Sequence, residues 1–79
     1  MEINKFIELF ANQLDEVDIN DLTFTTKFRE IEGWSSIVAL SVIAMVDEEY
    51  SVVLKGEDIR NSNTIEDIYN IVKSKKNNV

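Results

Sequence analysis

The chain's 79 residues include neither cysteine nor histidine, so its chemistry has to come from hydroxyls, carboxylates and amines. Their absence removes disulfides, thiolate nucleophiles, Cys/His zinc sites and any Ser-His-Asp machinery in one step. The arrangement that stands out is a serine pair, Ser35 and Ser36, placed directly before the apolar run of "EIEGWSSIVALSVIAMVDEEY". A hydroxyl at a helix N-terminus usually caps it, accepting a backbone N–H bond and contributing about 1 kcal/mol. A second serine invites another reason. If Ser35 caps, the Ser36 hydroxyl is available, and the helix N-terminus favours an anion such as a phosphodiester attached there.

Other polar groupings carry less. Asp15, Glu16, Asp18, Asn20 and Asp21 form an oxygen-rich cluster. It lacks the ligand order and loop glycine of an EF-hand, so the expectation is a solvated acidic loop with no metal. Paired carboxylates for general acid-base work would need a pocket and a raised pKa on one member, and the sequence indicates neither. Trp34 reads as a packing anchor where loop becomes helix.

Several elements must position the serines. Ile3, Phe6, Ile7, Phe10 and Leu14 recur at helical spacing and predict a helix over about 2–14. The stretch "DEVDINDLTFTTKFREIEGW" is rich in turn-forming Asp, Asn and Thr, and predicts a long loop over about 15–35. Leu22, Phe24, Phe28 and Ile31 are its expected apolar anchors, with one short helical turn and a change of direction at Gly33. A second helix is expected over about 36–50, with Leu40, Ile43, Val46 and Tyr50 as its core stripe and Ala39 and Val42 beside it. Val53 and Leu54 are expected to insert inward ahead of a short helix over about 57–61. Thr64 and Asp67 form a capping-box pattern opening a last helix over about 64–75, whose Lys73, Lys75 and Lys76 suit its C-terminal dipole. The closing "NNV" reads as a frayed tail.

The outline is all-α and, at this length, a single domain over 1–79. No apolar run approaches the ~20 residues of a membrane span, and "MEINKFIELF" lacks the pattern of a secretory signal. The expected location is the cytoplasm, with no membrane partner. Fifteen acids against eight bases give a formal charge of −7. Such a field repels nucleic acid and attracts basic protein surfaces, so the expected partner is a protein.

With these elements in place the chain resembles the acyl carrier proteins, which carry a phosphopantetheine arm on a serine in an Asp-Ser-Leu motif opening the second of four helices. "GWSSI" occupies the motif's place, "TTKFREIEGW" is similar to the approach to it, and "VDEEYSVVL" to the acidic end of the second helix and the connection beyond. "NTIEDIYNIV" resembles the last helix, so the resemblance spans essentially the whole chain. It implies a four-helix acyl-carrier-like bundle of three main helices and one short one, with Ser36 as the attachment residue. Ser35 then takes the Asp position and Ile37 the Leu position.

The resemblance further implies a monomeric carrier that is not an enzyme, a phosphoprotein of fatty acid biosynthesis and lipid metabolism. A phosphopantetheinyl transferase moves the arm from coenzyme A to Ser36, and the arm's thiol then bears an acyl group for acyl-transferring or acyl-processing enzymes. Leu40, Val42, Ile43, Leu54 and Ile59 are the expected lining of an acyl cleft. Trp34, Val38, Ser41, Met45 and Glu48 share one helix line and, with Ser35, Ile37 and Asp47, make the expected partner face. Exposed Val38 and Met45 would make recognition more apolar than in typical fatty-acid carriers, which suits a specialised fatty-acid, polyketide or lipid-modification pathway. Two other readings compete: an aminoacyl or peptidyl carrier using the same arm, and a cofactor-free adaptor binding a partner through the Val38 and Met45 face.

Overall fold

In the computed structural model, which describes residues 2–15 and 17–77, the apolar spacing of the first segment becomes helix α1, Ile3–Ala11. Phe6, Ile7, Phe10 and Ala11 form its buried stripe. α1 stops short of the predicted boundary, yet Leu14 is still buried, because the next residues continue as a turn, with the amides of Gln13 and Leu14 bonding to the carbonyls of Phe10 and Ala11 at 3.0 Å. Glu16 of the acidic cluster, and Asn78 and Val79 of the expected tail, lie outside the described residues.

The long connection holds two 3-10 turns, Ile19–Asp21 and Phe28–Glu30, where the sequence pattern suggests one. The first is set by Asp18, whose carboxylate accepts the Asn20 amide at 2.9 Å, the local competition with helix that Asp favours. Leu22 and Phe28 are buried and Ile31 is half-buried. Phe24 corrects the expectation: the residue is 42% exposed and its backbone does the anchoring. The Phe24 carbonyl accepts the Glu66 amide at 2.7 Å and the Thr26 carbonyl the Ile65 amide at 3.1 Å, so the loop satisfies amides that a helix start leaves without partners.

The remaining helices are α2 (Ser36–Tyr50), α3 (Gly56–Arg60) and α4 (Ile65–Asn77), and no strand occurs among the described residues beyond an isolated Lys27–Thr64 bridge. α2 stops where Ser51 turns left-handed, at φ 56°. Val52 and Leu54 are buried while Val53 is 68% exposed, as alternation in an extended segment requires, so the expected inward pair Val53 and Leu54 is corrected to Val52 and Leu54. α4 opens on a capping box: Thr64 Oγ1 accepts the Asp67 amide at 3.2 Å, and the Asp67 carboxylate accepts the amides of Thr64 and Asn63 at 3.0 and 2.9 Å. Those backbone bonds, Thr64's first, hold the Asp67 carboxyl below its ordinary pKa. The result is an all-α bundle whose fully buried side chains, Phe6, Phe10, Phe28, Val42, Val46, Ile65, Ile68 and Val72, come from α1, α2, α4 and the long loop.

Candidate functional site

The approach to the serines is built by aromatic packing. Phe28, fully buried, has its ring centroid 6.3 Å from that of Phe10 and 4.8 Å from that of Trp34, and Trp34 lies parallel to Phe10 at 6.0 Å. Such pairs contribute about 0.5–1.5 kcal/mol each beyond area burial. Half-buried Trp34 is therefore the expected anchor, and it belongs to the core more than to a partner face. Gly33, at φ 92°, makes the turn between the loop and this anchor.

Beyond the anchor, Ser35 is extended (φ −155°, ψ 172°) and its side-chain oxygen accepts the Val38 amide at 3.3 Å. Ser35 is thus the cap of α2, and Ser36 is the helix's first residue. The Ser36 side chain is exposed, and its hydroxyl has no hydrogen-bond partner among the described residues. The first amides of an α-helix have no intrahelical carbonyl to bond; Ser35 takes that of Val38, and no acidic side chain lies in the first turn of α2. An exposed, uncommitted hydroxyl at the positive end of a 15-residue helix is chemically suited to bear a phosphodiester.

The remaining side chains of α2 depart from the expected faces. Val42, Met45 and Val46 are buried, and Val38, Ala39, Ile43 and Tyr50 pack partly against the core. Met45, expected outside, is 6% exposed, and Val38 is packed rather than free. Leu40, expected to line a cleft, is 66% exposed and lies beside Ile37 at 74%. The outward line therefore runs Ile37, Leu40, Ala44, Asp47 and Glu48, with Ser41 at its edge, at the i, i+3 and i+4 spacing of one helix face. Of the expected cleft lining, Val42, Leu54 and Ile59 come together in the buried core, Ile43 at its margin, and Leu40 does not join them.

The acidic stretch behaves as a loop rather than a centre. Asp15, Asp18 and Asp21 edge a groove with Glu32 over Leu22 and Ile31, and no group of residues arranged to hold a metal occurs among the described residues. No helix in that set is long and apolar enough to cross a membrane.

One residue the sequence pattern did not single out is Arg29. Its guanidinium lies 4.8 Å over the Phe28 ring and donates to the carbonyls of Ser62 and Ile59 at 2.7 Å and of Arg60 at 3.0 Å. It closes the C-terminal end of α3, a contact across about thirty residues for which local spacing holds no signal.

The family described as Phosphopantetheine attachment site matches residues 4–72. The acyl carrier protein of Phytoplasma australiense is 31% identical over 68 residues, covering 86% of this chain and 88% of that protein. The acyl carrier protein of Onion yellows phytoplasma (strain OY-M) is 29% identical over the same length and shares. No solved structure matches the chain. With the family's match running from α1 through most of α4 and an uncommitted serine opening α2, the chain belongs to the acyl carrier proteins, carriers rather than enzymes, which hold 4'-phosphopantetheine covalently.

Proposed function

We propose that Ser36 bears the arm and that the protein shuttles thioester-bound acyl groups between the enzymes of a specialised fatty-acid, polyketide or lipid-modification pathway. The observation that carries the assignment is the division of labour between the serines: Ser35 Oγ is engaged as the cap, and the Ser36 hydroxyl is exposed and uncommitted. When bound, the arm supplies the thiol that a chain without cysteine lacks. The protein's own residues do the rest. The first-turn amides and the dipole of α2 stabilise the phosphodiester charge, and Trp34, fixed on Phe10 and Phe28, holds the attachment point at the rim of the core.

Partners, among them a phosphopantetheinyl transferase using coenzyme A in the cytoplasm, would approach over Ile37 and Leu40. Exposed apolar side chains beside an attachment point favour a partner with an apolar surface there. Asp47, Glu48 and Glu49 sit in the last turn, where acids oppose the dipole at about 0.3–1 kcal/mol each, so helix stability does not account for them. A basic patch on the partner does. Acids confined to that end, with none in the first turn, support dedicated partners rather than the general fatty-acid machinery.

Intact mass after incubation with coenzyme A and a permissive transferase tests the assignment. One added phosphopantetheine is expected on the unmutated chain and on Ser35→Ala, and none on Ser36→Ala. Labelling of Ser36→Ala would move the site to Ser35, and no labelling of any form would favour a cofactor-free adaptor.

A further inference from the structure

α3 is five residues long, with Ile59 its buried side chain, yet three carbonyls at its C-terminal end receive one guanidinium. Arg29 reaches them from the far side of the long loop, stacked on Phe28, which packs in turn on Phe10 and Trp34. The cluster that sets up Ser35 and Ser36 therefore also sets the place of α3. Beneath α3, Val42 of α2, Leu54 and Ile59 are 0%, 2% and 6% exposed, so the apolar layer is already filled by side chains. An acyl chain entering that layer would have to lift α3, and lifting α3 would strip the carbonyls of Ile59, Arg60 and Ser62 of their charged donor. At the other end of α3 the Asp58 carboxylate accepts the Lys55 amide at 2.9 Å and pairs with Lys75 Nζ at 3.4 Å.

We infer that Arg29 is a positioning residue that holds α3 shut over Val42, Leu54 and Ile59, so that the carried group is presented at the surface rather than taken inside. The inference rests on the reading of Ser36 as the attachment residue. A cargo that needs no burial, a short or polar acyl group, is the class such a carrier suits, because a long chain left in water loses the gain of burying each methylene. Arginine is required for its planar fork: two nitrogens serve three carbonyls at once, which a lysine ammonium on a flexible stem does less well.

The experiment has two parts. In the unloaded protein, amide exchange at Ile59, Asn61 and Ser62, which bond within α3 and its final turn, is compared among the unmutated chain, Arg29→Gln and Arg29→Lys. Arg29→Gln is expected to speed these amides about tenfold or more while α2 and α4 change little, with Arg29→Lys intermediate. Asp58→Asn, which removes the Lys75 pair and leaves Arg29 in place, is expected to act less. Each chain is then loaded with acetyl or decanoyl phosphopantetheine, confirmed by mass, and thioester cleavage by hydroxylamine is timed.

Comparing each acyl group with itself, decanoyl should be cleaved severalfold more slowly in Arg29→Gln than in the unmutated chain, and acetyl equally in both. A purely structural Arg29 would lower stability without this dependence on chain length, and that result overturns the inference, as does unchanged exchange in α3. Absence of the added mass overturns the reading of Ser36 and the role in cargo with it, and is seen before any cleavage is measured.

Discussion

Tyr50 has a buried phenol oxygen with no hydrogen-bond partner among the described residues. Its ring packs 6.0 Å from that of Phe6, and burial, followed by Glu49 and Tyr69, pushes its pKa up from the ordinary 10.0. A buried unmade hydrogen bond costs on the order of 1 kcal/mol, so Tyr50→Phe should raise the unfolding free energy by about that amount in urea titrations. Because the folded pKa is raised, the contribution of the neutral phenol is full below the unfolded pKa and is lost as pH rises through the folded one. The advantage of Tyr50→Phe should therefore widen above pH about 10, and a loss of stability across the whole range would show that the phenol is satisfied. Met45 and Leu40 make a second comparison at this scale. Met45→Ala should cost about 2–5 kcal/mol and Leu40→Ala less than about 0.5 kcal/mol, since one is buried and the other is not. The sequence pattern had these two reversed for a physical reason: from Ile37 to Val46 only Ser41 is polar, so periodicity fixes the existence of α2 but not its rotation.

Among the elements, legibility follows how local the determining interaction is. The Thr64 and Asp67 box and the Ser35 cap are set by residues three apart, and both are found as the spacing implies. The hold of Arg29 on α3 and the pinning of the loop's carbonyls by α4 join distant segments, and nothing in local spacing announces them. Asp67 makes the box pH-sensitive. Its folded pKa is depressed, so its contribution to α4 is present above the ordinary 3.8 and is lost as pH falls through the folded value. Asp67→Asn should consequently lose less stability than the unmutated chain between pH about 5 and 2, read as the difference between their unfolding curves. Gly33 separates strain from crowding, because a Cβ there would meet nothing within 4 Å while φ stays at 92°. Gly33→Ala should cost about 1–2 kcal/mol through the backbone alone, measured by denaturant titration.

For the whole molecule, charge and shape set the remaining expectations. A Cα radius of gyration of 11.4 Å matches the roughly 12 Å of a compact chain of this length, so seven net negative charges share a small volume. One side-chain ion pair, Lys75 with Asp58, stands among the described residues. Added sodium chloride should thus screen more repulsion than attraction and raise the thermal midpoint by a few degrees up to about 0.5 M, where a fall would mean that attractive pairs dominate. At this scale the four-helix outline was readable, because four apolar patterns and their caps lie in sequence order. The solvent-facing side of α2 was not, because it is decided by the other three helices. The central claim is that one hydroxyl, freed by its neighbour's cap, holds the arm. Fragmentation mass spectrometry of the loaded, unmutated chain tests it most directly: the account predicts phosphopantetheine on Ser36 with Ser35 bare, and the arm on Ser35, or on neither serine, would contradict it.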